Sequence, residues 1–402
     1  MLLGIIFLLI QTFFAITKPK YFVFLYFLFL TSFFGFLSKE ILIAGNEIGF
    51  FYQHMLMLIS WLKIKNRNTY PSHVKFFLNV TSLLYLFGII YPVIGGSSSI
   101  IQSIIASKEF SGIFLAHYLF SYQFKFSLEF LKKLLNFVGY GLSIILALVI
   151  LWNFIPPEYV KAGSYIEYDY PTILSLFLFV KVNNSFTFKQ KLLSALLIIV
   201  WVLGMMREGH SAIMLTTLLG LTVLLFNIPL VRLAGKFKWI ILSIICALFT
   251  LLFFSVDSQL NEILETPSFK ARSVYNIERL ELIKEQPVQG YGFLHKSALD
   301  LEGDNPYMES LAFIDSGYID LLGKFGFLGM LIYFTAILLP IYKGYNDYKV
   351  IGLKLFILQY FIVSITWSVF TFSIGIIAIA LAIFLDYQYK NELENKDPQG
   401  IK

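Results

Sequence analysis

Long apolar runs alternate with short polar connectors from the first residue to about Tyr389. A helix needs about 20 mostly apolar residues, within a range of about 17–25, to cross a hydrocarbon core. By that measure thirteen runs predict spans: 1–17, 21–37, 43–62, 74–94, 105–124, 133–153, 168–182, 190–206, 210–227, 239–255, 324–342, 349–368 and 371–388. The first run also has the length of a signal peptide, but it lacks a basic start and a small-residue cleavage site. Lys108 and Glu109 interrupt the fifth, and the seventh is short and opens on Tyr170-Pro171. The pattern predicts an all-α integral membrane protein, a polytopic helical bundle with about 12–13 transmembrane helices. There is no internal repeat, low-complexity tract, heptad run or transporter-like inverted repeat. Residues 1–402 are therefore expected to form a single polytopic membrane domain.

Charge gives the bundle a direction. The connectors 18–20, 63–75, 125–133, 181–191, 228–238, 343–354 and 390–402 hold 21 of the 31 basic residues, with only six acids in or beside them. Lys and Arg are retained on the cytoplasmic side. These connectors, and the C-terminus with them, are expected to be cytoplasmic. The net charge of +6 is then a topology signal, and no nucleic-acid partner is expected. The opposite face receives one large loop, 256–323, with twelve acidic residues and a predicted helix at 272–285. Loops beyond about 12–15 residues are usually functional or disordered. A smaller loop, 153–169, shares that face.

Composition narrows the class. The chain is 58% hydrophobic and 14% charged, against about 45–50% and about 25% in soluble domains. That excludes a water-soluble enzyme, a disordered chain and a disulfide scaffold. Forty-three Phe and 24 Tyr suit lipid-facing and interfacial positions. Cys246 is the single cysteine, which excludes an intramolecular disulfide, a thiolate metal cluster and a CxxC redox pair.

Four groups of residues carry candidate chemistry. Arg207, in Gly204-Met-Met-Arg207-Glu-Gly-His210-Ser211, lies between two spans on the predicted outer face. A guanidinium matches phosphate oxygens in a bidentate way, so this turn reads either as an anion clamp or as an arginine snorkelling to headgroups. His210 beside it reads as a helix-start polar residue or as a base. Arg272 and Arg279 are seven residues apart, two helical turns, and project from one face of the predicted helix. They suit a diphosphate, or a solvated helix face in which Glu278 neutralises Arg272. Pro287-Val-Gln-Gly290-Tyr291-Gly292 ends that helix and permits a tight turn with close backbone approach. Asp315, at the foot of the next span, reads as a partly desolvated base or as a helix cap. Tyr291, Tyr307 and Tyr318 suit sugar stacking or an interfacial belt.

No P-loop, H-E-x-x-H, nucleophile elbow, Ser-x-x-Lys set or D-x-D motif is present. Asp300, Glu302 and Asp304 alternate as a potential Ca²⁺ or Mg²⁺ set, though an acidic solvated loop explains them as well. No metal or other cofactor is expected.

In order and spacing these elements resemble the bacterial O-antigen ligase and O-antigen polymerase family. The shared order is an outer-loop arginine (Arg207), a large outer loop with further arginines (Arg272 and Arg279), and then Pro287 to Gly292. A polar residue follows before a Gly-rich span (Asp315 through Gly317, Gly326 and Gly329), and three spans close the chain. The resemblance covers about 195–388. It implies a GT-C-like, metal-independent membrane glycosyltransferase in the bacterial inner membrane. The implied donor is an undecaprenyl diphosphate-linked oligosaccharide and the acceptor a growing glycan; membrane lipids and a chain-length regulator are the further implied partners. Arg207, Arg279 and Asp315 take the implied catalytic places, with Arg272, Gly290, Tyr291, Gly292, His210 and Tyr318 binding substrate. Ligases of the family carry His, usually His-Asn, where this chain has Asp315-Ser316, which favours polymerase over ligase. A flippase or other transporter is the competing class. It leaves the 68-residue loop unexplained and calls for ionisable residues or broken helices near mid-membrane.

The topology is testable by accessibility. A cysteine at Ser297 should react with an impermeant thiol reagent without permeabilising the inner membrane. Labelling only after permeabilisation would reverse the assigned face.

Overall fold

The computed structural model describes residues 2–30, 42–43, 46–47, 49–63, 70–152, 169–185, 187–208, 211–234, 279–294, 316–344, 350–365 and 368–396. They form an all-helical integral membrane bundle, apart from one antiparallel pair of two-residue strands, Leu42–Ile43 with Asn46–Glu47. The helices are α1 (Leu2–Thr17), α2 (Pro19–Leu30), α3 (Gly49–Lys63), α4 (Ser72–Ile94), α5 (Ile100–Ala106), α6 (Phe114–Ser121), α7 (Leu128–Trp152), α8 (Asp169–Asn183), α9 (Phe188–Glu208), α10 (Ser211–Ala234), α11 (Gly317–Lys343), α12 (Ile351–Val363) and α13 (Ser373–Lys396). Among the described residues, five helices are long and apolar enough to cross a membrane: α4, α7, α9, α11 and α13. Five shorter apolar helical stretches accompany them. The predicted span 239–255 lies outside the described residues.

The bundle is built around α13. Ile376 to Leu385 are ten consecutive residues, none more than 3% exposed. A helix that is apolar all round has no face for solvent and belongs at a centre. Around it pack the 3₁₀ turn Phe110–Ile113, α6, α8, α12 and α7. By contrast α9 leaves Leu192, Leu196, Ile199 and Leu203 exposed, as a helix facing lipid would.

One predicted span is corrected. Residues 105–124 do not form a continuous helix. Ser99 and Gln102 cap the seven-residue α5 reciprocally, the chain turns at Ser107–Glu109, and a 3₁₀ turn leads into α6, whose residues Phe114–Phe120 are all buried. The break has two causes. Two charges interrupt the apolar run, and Gly112 lies so close to α13 that a Cβ there would be 2.7 Å from the Ser373 carbonyl oxygen. A buried polar chain ties the same turn inward: Ser111 Oγ meets His54 Nδ1 at 2.7 Å, and His54 Nε2 meets the Tyr26 hydroxyl at 2.8 Å.

Several predicted basic connectors gather at one end of the bundle. Lys20 lies over the Phe130 ring and Lys132 over the Tyr389 ring. Asn184 Nδ2 reaches the Tyr389 hydroxyl, and Lys343 and Lys390 both act on His73. The start of α11, the end of α12 and the start of α13 meet at the opposite end. There the Gly317 amide donates to the Ser364 carbonyl at 2.8 Å and the Tyr333 hydroxyl to Phe370 at 3.0 Å.

α11 begins seven residues earlier than the apolar run predicted, and it is broken. Gly326 has φ +63° and ψ −177°, a region open essentially to glycine alone. The break removes two helical hydrogen bonds, those from the Phe327 and Leu328 amides to the Gly323 and Lys324 carbonyls. All four groups find new partners in the segment 287–292. Phe327 and Leu328 donate to the Pro287 and Val288 carbonyls at 2.8 and 3.3 Å, while Tyr291 and Gly292 donate to Gly323 and Lys324, each at 2.8 Å. The joint is tight enough that a Cβ on Gly326 would lie 2.2 Å from the Val288 carbonyl oxygen.

Gly326→Ala should therefore lower the melting temperature of the detergent-solubilised protein, with a backbone cost of about 1–3 kcal/mol before any clash. Gly323→Ala is the control, because a Cβ there meets nothing within 4 Å and alanine favours helix. Equal melting of the two variants would remove the special role of the joint.

Candidate functional site

The site begins with residues 279–285, which are helical. Arg279 is half-buried at their start, Ile283 turns inward, and Lys284 is exposed. The helix stops at Gln286-Pro287, as the sequence predicts. The Gly290 amide then closes the turn onto the Gln286 carbonyl at 3.0 Å, and the Tyr91 hydroxyl donates to Gln286 Oε1 at 3.1 Å. Predicted helical residues 272–278 lie outside the described residues.

Gly290, Tyr291 and Gly292 come together with α11. Gly290 has φ +68°, and a Cβ there would be 2.5 Å from the Gly326 nitrogen. The amides of Tyr291 and Gly292 are spent on the opened turn of α11. Tyr291 is a strut. Its hydroxyl donates to the Leu282 carbonyl at 2.8 Å and lies 3.1 Å from Glu285 Oε2, while its amide holds Gly323. Burial and the Glu285 carboxylate raise its phenol above the ordinary value, which keeps the proton on this donor. Phe293 follows as a plug. Its amide donates to the Gly88 carbonyl at 2.6 Å, and its ring packs against Tyr85, Phe110 and Phe325. Gly88 makes the room: a Cβ there would be 2.4 Å from that ring.

The foot of α11 holds a group that the sequence reading missed. The Asp320 side chain is 5% exposed and Lys324 is 25% exposed, with Nζ and Oδ2 2.7 Å apart. The Thr371 hydroxyl donates to the same Oδ2. Isolated buried carboxylates are costly and persist when paired. The start of a helix also favours negative charge. The signal was available, since Asp followed four residues later by Lys is a helical ion pair. Placing the start of the span at 324 hid it.

The other predicted residues are placed as follows. Arg207 is the second-last residue of α9, and only its backbone is described. His210, Arg272 and Asp315 lie outside the described residues, as do Tyr307 and the Asp300, Glu302, Asp304 set. Asp315 immediately precedes Ser316, which occupies the cap position of α11 without a side-chain capping bond. Tyr318 is half-buried; its hydroxyl donates to the Phe361 carbonyl and pins α11 to α12. No cluster of three metal-ligating side chains occurs among the described residues.

Residues 192–334 match the family model described as O-antigen ligase. The matched stretch runs from α9 past the break in α11, and it contains Arg207, Arg272, Arg279, Pro287 to Gly292, and Gly326. It is consistent with the O-antigen ligase and polymerase family, and ligase or polymerase-like function is common ground to that match. No curated protein matches the chain.

Proposed function

We propose that this protein is a surface-polysaccharide polymerase of the O-antigen type. It transfers oligosaccharide repeat units from undecaprenyl diphosphate to an acceptor glycan at the periplasmic face of the inner membrane. The observation that supports the reading is the seating of 287–292 on the opened turn of α11. The helix leading into it carries Arg279, within the matched stretch, and the reading puts the lipid-linked diphosphate beside that residue. The break lies nine residues into α11, not midway, and its backbone groups are all re-paired. That is a joint, and it supplies none of the free half-helix ends a transporter would use to hold a solute. Asp315-Ser316 in place of His-Asn favours polymerase over ligase.

In this mechanism an acceptor sugar hydroxyl attacks the anomeric carbon of the donor. The bond from that carbon to the phosphate oxygen breaks, its electron pair stays on the oxygen, and undecaprenyl diphosphate leaves. Asp315 takes or orients the hydroxyl proton. Arg207, Arg279 and Arg272 stabilise the charge that develops on the phosphate oxygens, where fixed donors act most strongly. The segment 279–292 is held to α11 through the joint.

Losing one such contact is expected to cost about 2–4 kcal/mol, as for an oxyanion donor, or roughly 30- to 1000-fold in rate. Arg207→Ala and Arg279→Ala should abolish long chains at normal protein levels. Arg→Lys should be nearly as damaging at one of them at least, since ammonium lacks the bidentate fork. Exposed Lys284→Ala is the control. Wild-type chain length in Arg207→Ala, or equal damage from Lys284→Ala, would remove support for the clamp.

Deletion of the gene separates the activities. Single repeat units on the lipid-A core or on the carrier are expected. Bare core, with long chains on undecaprenyl diphosphate, would instead indicate a ligase.

A further inference from the structure

Among the described residues Asp320 is the one carboxylate, ammonium or guanidinium side chain that is buried. It sits beneath Lys324, which keeps a quarter of its side-chain surface. We propose that Lys324 is a further ligand of the donor diphosphate, a phosphate-facing cation held in place by Asp320 and Thr371. This rests on the donor reading above and adds a residue that reading does not use.

The geometry argues for it in three steps. An ammonium carries three donors. Asp320 Oδ2 takes one of them from the buried side at 2.7 Å, and Thr371 holds that oxygen from the turn just before α13. Lys324 is the more exposed side chain of the pair, so an anion from outside the bundle reaches it before the carboxylate. Second, Lys324 is fixed at its backbone as well as its head. Its carbonyl accepts the Gly292 amide, on the turn that the break at Gly326 opens. Third, that turn is strapped to the helix of Arg279. Tyr291 holds the Gly323 carbonyl with its amide and the Leu282 carbonyl with its hydroxyl, and Leu282 is three residues beyond Arg279. Two cations thus stand on elements locked to each other. An ammonium acts on phosphate as a point charge. A fastener that only joins α11 to the segment before α13 would need neither a partly exposed lysine nor the strap.

The test uses the full chain in nanodiscs with undecaprenyl diphosphate as the probe. Lys324→Gln should weaken binding by about 10- to 100-fold, the range of one charge-assisted hydrogen bond. Lys324→Arg should recover most of the affinity. The single Gln variant leaves Asp320 buried without its cation, so the double variant Asp320→Asn with Lys324→Gln is the decisive one. It removes both charges together and should melt like wild type, yet bind as weakly as Lys324→Gln. Wild-type affinity in the double variant, while Arg279→Ala loses binding, would make the pair a structural fastener and leave the donor reading standing. Failure of the wild-type protein to bind undecaprenyl diphosphate would overturn the donor reading and this inference with it.

Discussion

A helix inside a membrane cannot be interrupted unless every backbone group it frees finds a partner in protein, because lipid offers none. That constraint organises the end of the bundle where α11 starts. The break at Gly326 frees two carbonyls and two amides, and the segment from Pro287 to Gly292 supplies two amides and two carbonyls in return. The exchange is complete. It explains why a loop segment is built into the bundle, why three positive-φ glycines meet there, and why Phe293 can be driven between α4 and α11 as a plug. Remove the break and the loop has nowhere to dock.

Docking converts a sequence separation into a fixed distance. Arg279 and Lys324 are forty-five residues apart, yet the strut Tyr291 touches both neighbourhoods at once. A site that handles a charged leaving group benefits from cations that do not move when charge develops, since the reorganisation has been completed in folding. The Asp320–Lys324–Thr371 group extends the same logic across to α13, which is itself the most deeply buried helix in the bundle.

Much of this was legible in the sequence, and the exceptions have physical causes. Apolar runs located nearly every described helix, because lipid enforces length and apolarity together. They failed where charge and apolarity conflict. Asp320 and Lys324 pushed the expected start of α11 back to residue 324, although the two charges satisfy each other one turn apart. Lys108 and Glu109 were noticed, but the break they permit depends on Gly112 seating against Ser373, which no local pattern encodes. Pro287 and the glycines were read correctly as a stop and a close approach. Their partner is the backbone of α11, 32 to 40 residues on, and pairing at that distance leaves no periodic trace. Asp315, Arg272 and His210 lie outside the described residues.

The position of α13 carries a consequence for biogenesis. Chains are made from the N-terminus onward, and of the described helices α13 is the last to leave the ribosome. It is also the one surrounded on all sides. The helices that line its slot therefore precede it in synthesis, and their inner faces meet Ile376 to Leu385 only at the end. The bundle closes from the inside and late, and the final insertion also delivers Thr371 to Asp320. Completion of this end of the bundle thus waits on the last helix, because Asp320 meets Thr371 only once that segment is in place.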